Sequence, residues 1–105
     1  MARSGDPAQA SAQRLDKWLW QARFFRTRTV ATAAVSDGMV RVNGERAMRP
    51  AQAVRAGDTL TFVQGGRVRV VRIVALAVRR GPAAEAATLY RDIPTGAGSG
   101  PVALE

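Results

Sequence analysis

Two runs decide the fold: Arg14-Leu-Asp-Lys-Trp-Leu-Trp-Gln-Ala-Arg-Phe-Phe-Arg-Thr-Arg28, and, one helix length further on, Gly38-Met-Val-Arg-Val-Asn-Gly44. In the first, Leu15, Trp18, Leu19 and Ala22 recur at i, i+3, i+4 and i+7, which is one face of a helix. A helix is therefore predicted from Arg14 to Phe25, with Ser11 a suitable N-cap and Phe25 close to the apolar stripe. Arg14, Lys17 and Gln21 fall at i, i+3 and i+7 on another face, a polar ridge that is also what any solvated helix face looks like. Thr27 can cap a second helix, running to Asp37, by accepting a hydrogen bond from the amide of Val30, and Gly38 suits the left-handed position that ends it. In the second run Val40 and Val42 alternate with Arg41 and Asn43, as in a strand buried on one face, and Asn43-Gly44 is a strong hairpin-turn signal.

Outward from this unit, the pattern breaks into loop around Pro50 until Val54, and Gly57-Asp58 turns the chain into a strand over Thr59 to Val63. Gln64-Gly65-Gly66-Arg67 reads as another hairpin. The next strand alternates cleanly over Arg67 to Val70, changes phase at Val71 and stays nearly apolar to Val78, which predicts a bulge or a strand buried on both faces. Arg79-Arg80-Gly81 ends it. Pro82 to Tyr90 reads as a short helix with Pro82 in its first turn, packing Leu89 and Tyr90 back on the sheet. Residues 1–11 read as disordered and 94–105 as a Gly-rich flexible tail, leaving one folded domain over 12–93. The expected class is α+β, with two N-terminal helices on a small, mostly antiparallel sheet and a short C-terminal helix.

Charge is unevenly spread. Between Arg14 and Arg55 stand nine basic residues against three acids, a surplus of six within a net charge of +8 over 105 residues. Genome bias can account for fifteen arginines to one lysine, but not for their concentration in one half of the chain. A sequence pI near 11.7 implies a polyanionic partner, since clustered cations gain affinity by releasing counterions from phosphate backbones. Arg26 and Arg28 flank the start of the second helix, where the helix dipole disfavours cations by up to ~1 kcal/mol. That placement suits an incoming phosphate, which would meet guanidinium groups and free amides together.

The sequence contains neither cysteine nor histidine, which excludes thiolate or imidazole zinc sites and histidine-based triads. No apolar run approaches the ~20 residues of a membrane span, and the first residues lack the apolar core of a secretory signal, so a cytoplasmic location is expected. No cofactor or metal is expected. Asp58, Glu85, Asp92 and Glu105 are scattered, without paired-carboxylate spacing or a phosphate-cradling loop, so no catalysis is expected either.

The runs Arg14 to Leu19, Thr27-Arg28, Gly38 to Gly44 and Gly57-Asp58 before a strand resemble the S4-type alpha-L family of RNA-binding domains. The whole of Arg14 to Arg28, with its two tryptophans, and Pro82 to Tyr90 are most similar to the ribosome-associated, fifteen-kilodalton heat-shock members of that family. The resemblance implies binding to rRNA of the large ribosomal subunit, in recycling or rescue of free subunits that carry a stalled nascent chain on tRNA during stress. It nominates Arg14, Lys17, Arg23, Arg26, Thr27, Arg28, Arg41, Asn43 and Gly44 as RNA contacts, with Arg49 a further addition beside Pro50. Some relatives continue past the last helix with a long basic extension, where this sequence has a neutral tail ending at Glu105. A structured-RNA, tRNA or DNA binder or chaperone not tied to the ribosome predicts the same basic face. A monomer is the default expectation. Trp18 lies on the apolar stripe and is expected in the core; Trp20 lies off it and suits either packing or base stacking.

Overall fold

The computed structural model describes residues 12–94. The expected disordered start, the expected Ser11 cap and nearly all of the expected tail lie outside the described residues.

The chain runs β1 (Gln13–Arg14), α1 (Leu15–Gln21), α2 (Arg28–Ser36), β2 (Val40–Val42), β3 (Glu45–Ala47), β4 (Ala53–Val54), β5 (Thr59–Gln64), β6 (Arg67–Ile73), α3 (Ala83–Ala86), a 3₁₀ turn (Ala87–Leu89) and β7 (Tyr90–Asp92). Five strands form an antiparallel sheet in the order β3-β2-β5-β6-β7, and β1 pairs separately with β4. This is the expected α+β architecture. Asn43 and Gly44 both take positive φ, 52° and 87°, as the two-residue β2–β3 turn requires, and Gly65 and Gly66 do the same between β5 and β6.

One core lies between the helices and one face of the sheet. Leu15, Trp18 and Leu19 of α1 and Ala31 and Val35 of α2 meet Val40, Leu60, Phe62, Val71 and Ile73 of the sheet, all essentially buried. Trp18 is fully enclosed, and its indole N–H donates to the Ala75 carbonyl at 3.0 Å, which satisfies the one polar atom of the ring.

The first helix is shorter than its apolar stripe predicts, and the reason is a cap that the residue type conceals. Arg23 takes φ 67°. Its amide donates to Trp20 O at 3.0 Å and that of Phe24 to Leu19 O at 3.0 Å, the paired bonds of a Schellman termination. The resulting turn puts Phe24 rather than Phe25 in the core, where it lies 4.9 Å from the Phe62 ring and 4.6 Å from Tyr90, while Phe25 is half-buried. α2 ends by the same bonds around Gly38, φ 76°, from Gly38 N to Val35 O and Met39 N to Ala34 O.

The long apolar strand is also corrected. β6 stops at Ile73, because the amides of Val74 and Ala75 both turn to the Leu89 carbonyl. Residues 74–78 then cross α1 outside the sheet, leaving Val78 89% exposed. Pairing with β5 is unbroken from Arg67 to Arg72, so β6 carries no bulge at Val71: Val71 and Ile73 face the core, while Val68 and Val70 lie on the opposite, half-buried face. The C-terminal helix is a single turn preceded by Pro82, and Tyr90 leaves it to open β7 opposite Ile73.

Candidate nucleic-acid interface

The nominated residues divide among three places. Around the starts of the two helices stand Arg14, Lys17, Arg26, Thr27, Arg28 and Arg49. Their centre is Asp16, in the first turn of α1 and 0% exposed. Arg14 grips it with both arms of its fork, Nε to Oδ1 and Nη2 to Oδ2, each at 2.9 Å. The Thr32 hydroxyl donates to Oδ2 at 2.8 Å, and Arg28 Nη2 stands 4.0 Å from Oδ1. Burial alone would push this carboxyl up, but the hydrogen bonds from Arg14 and Thr32 and the charges of Arg14 and Arg28 hold it below the ordinary 3.8. One buried carboxylate thereby joins two arginines at the starts of two helices, on one side of the molecule.

Local backbone fixes the rest of this cluster. Thr27 caps α2 as expected, with its Oγ1 accepting from Val30 N at 3.1 Å, and among the described residues the amides of Arg28 and Thr29 have no protein acceptor. The amides that open α1 are satisfied differently. Leu15 N donates to Gln52 O at 2.8 Å and Asp16 N to Pro50 O at 3.2 Å, which lays the loop carrying Arg49 across the start of α1. Lys17 is half-buried one turn along α1 from Arg14, and Arg26 and Arg49 are exposed.

Arg23 is held elsewhere. Its Nε donates to Gly81 O at 2.6 Å, and Arg80 ties the same connection by donating to the Trp20 carbonyl at 3.0 Å. The Arg80 guanidinium also lies 5.4 Å over the half-buried Trp20 ring, so that ring is packed rather than open to a base. Gln21, expected on the outward ridge, is buried and accepts from Gln13 Nε2 at 2.8 Å.

Arg41, Asn43 and Gly44 form the third group. Arg41 lies on the face of the sheet turned away from α1 and α2, since its neighbours Val40 and Val42 point to the core. The Asn43 side chain joins two turns, donating to Asp58 Oδ1 at 3.1 Å and accepting from Thr59 N at 2.9 Å. Sequence reasoning missed Asp16, which reads there as one more helix-surface acid. Its only signal is its place between Arg14 and Lys17.

Two helices packed on a small antiparallel sheet, with arginines gathered at the helix starts, define an S4 domain, and the S4 domain model matches residues 13–60. Heat shock protein 15 of Escherichia coli K12 is 46% identical over 79 residues, 75% of this chain and 59% of that protein. The chain thus spans less than two thirds of that relative's length. The RQC P-site tRNA stabilizing factor of Listeria monocytogenes is 36% identical over 64 residues, 61% of this chain and 68% of that protein. A trimeric structure of Vibrio cholerae heat shock protein 15 superposes with a TM-score of 0.78 and 39% identity, covering 84% of this chain and 88% of that one. The chain belongs to the heat shock protein 15 family of S4-domain, RNA-binding proteins. Among the described residues no helix is long and apolar enough to cross a membrane.

Proposed function

We propose that this chain is a noncatalytic RNA-binding protein of the large ribosomal subunit, acting in the recycling or rescue of free subunits that carry a stalled nascent chain on tRNA. The observation that carries the reading is the cluster around Asp16. Arg14 and Arg28 meet there from the starts of two helices, Lys17 and Arg26 lie next to those helix starts along the chain, Arg49 lies on the loop across the start of α1, and Thr27 keeps a hydroxyl proton to donate. Such a surface suits phosphate oxygens presented by folded RNA, because it offers many cations and few groups that could read base edges. The likeness to the Listeria RQC P-site tRNA stabilizing factor supports the ribosome and a bound tRNA as its setting.

Sedimentation of the protein with cell lysate on a sucrose gradient tests this. Co-migration with free large subunits, increased when translation is stalled, is the expected outcome. Arg28→Ala should lower affinity for purified large subunits and reduce the slope of log affinity against log salt by about one unit, with unchanged folding. Equal competition by bulk tRNA or duplex DNA would instead favour a general structured-nucleic-acid binder. The gradient position of the free protein also tests the expectation of a monomer against the trimeric Vibrio relative.

A further inference from the structure

We infer that the outer face of the five-stranded sheet is a second RNA-backbone contact, separate from the helix-start cluster. Alternation turns Val40, Val42, Leu60, Phe62, Val71 and Ile73 inward to the helices. The same alternation turns Arg41, Arg46, Arg72 and Arg91 outward, and all four are exposed. Their registers are the telling feature. Arg46 stands directly opposite Arg41 across β3 and β2, and Arg72 directly opposite Arg91 across β6 and β7. Thr61 continues the first row opposite Arg41, and Thr59 the second opposite Arg72.

Like charges placed directly opposite on neighbouring strands repel and weaken the sheet. Acids do meet some arginines of this molecule, Asp16 with Arg14 and Arg28, Asp92 with Arg69 and Glu85 with Arg79. Among the described residues none of the four sheet-face arginines has a salt-bridge partner; Glu45, next to Arg46, alternates to the opposite face with Val42, and two other nearby acids are committed. Asp58 accepts from Asn43 and from the Arg55 amide, and Asp92 lies on the inner side with Arg69. Two unmatched arginine pairs, with hydroxyl donors between them and no acid, present what a row of phosphates needs. The charge selects a polyanion over an ordinary protein surface, and the width of the patch, all five strands, suits a helical backbone rather than a single ion. Because the sheet separates this face from α1 and α2, one RNA segment on the helices leaves it free for another.

The test uses two short RNA duplexes of mixed sequence, one carrying a donor dye and one an acceptor, with the full chain at limiting concentration. Wild type should bring the dyes together. The sheet-face variant R46Q/R72Q/R91Q should still bind one duplex but lose the energy transfer, and its salt slope should fall by about three units. The helix-start variant R26Q/R28Q should weaken one-duplex binding while retaining attachment through the sheet face, so that failure of the function proposed above and failure of this surface give different patterns. Circular dichroism and sedimentation of each variant separate lost contacts from lost folding or altered assembly. Transfer and salt slope unchanged in R46Q/R72Q/R91Q would overturn the inference. So would saturation of wild type at one duplex per chain, or transfer that tracks self-association, which would assign this face to a second copy of the chain.

Discussion

Asp16 is the residue on which the helix-start cluster turns, and it makes a pH-dependent contribution to stability. Its folded carboxyl binds a proton less readily than in the unfolded chain. Its contribution is therefore complete above about pH 4 and is lost as pH falls further, through the lowered folded value. Arg14 and Arg28 are 46% and 42% exposed at their side chains, so solvent screens their ends and a fully buried ion pair is the wrong yardstick. Asp16→Asn should cost about 1–3 kcal/mol at neutral pH, the scale of hydrogen bonds to a charged group. Urea unfolding at a series of pH values should show the gap to wild type closing below about pH 4; a constant gap would mean that the carboxylate's charge is not what stabilises. Trp18 is the contrasting case, an indole wholly inside the core. Trp18→Ala should destabilise by roughly 3–5 kcal/mol, read by the same unfolding curves.

At the scale of elements, the two helix ends explain what the sequence could and could not convey. Both helices finish with the same pair of backbone bonds around a residue in the left-handed region. At Gly38 the residue announces that conformation, and α2 could be bounded in advance. At Arg23 nothing does, because an arginine there looks like one more basic residue of a continuing helix; its side chain is tied to Gly81, 58 residues away. The apolar stripe, the Asn43-Gly44 turn and the Thr27 cap were legible because each depends on neighbours in sequence. β1, β4 and β7, the burial of Asp16 and Gln21, and the departure of residues 74–78 from the sheet were not, because each is settled by a partner far along the chain. The Arg23 cap can be tested by comparing two substitutions that lose the same Gly81 contact. Arg23→Gly should be more stable than Arg23→Ala by about 1–2 kcal/mol, since only alanine still pays for a left-handed φ. Equal stabilities in thermal unfolding would show that the backbone relaxes at this position.

Over the whole molecule, charge is arranged rather than merely abundant. A domain of this size has few ways to raise affinity for RNA through buried area, so its arginines must supply it through counterion release, and their placement determines how many phosphates are met at once. The helix-start cluster brings Arg14, Lys17, Arg26, Arg28 and Arg49 to one side, while the core and sheet lie between it and Arg72 and Arg91. With about six phosphates engaged in all, affinity for purified large subunits should fall on the order of 10³-fold between about 50 and 200 mM salt. Binding measured by pelleting across that range decides the matter, because the slope counts contacts whatever the sequence of the RNA. A fall of less than about tenfold would leave no more than about two cations at phosphates. The remaining affinity would then have to come from apolar or stacking contacts, for which the packed Trp18 and Trp20 rings offer no free face.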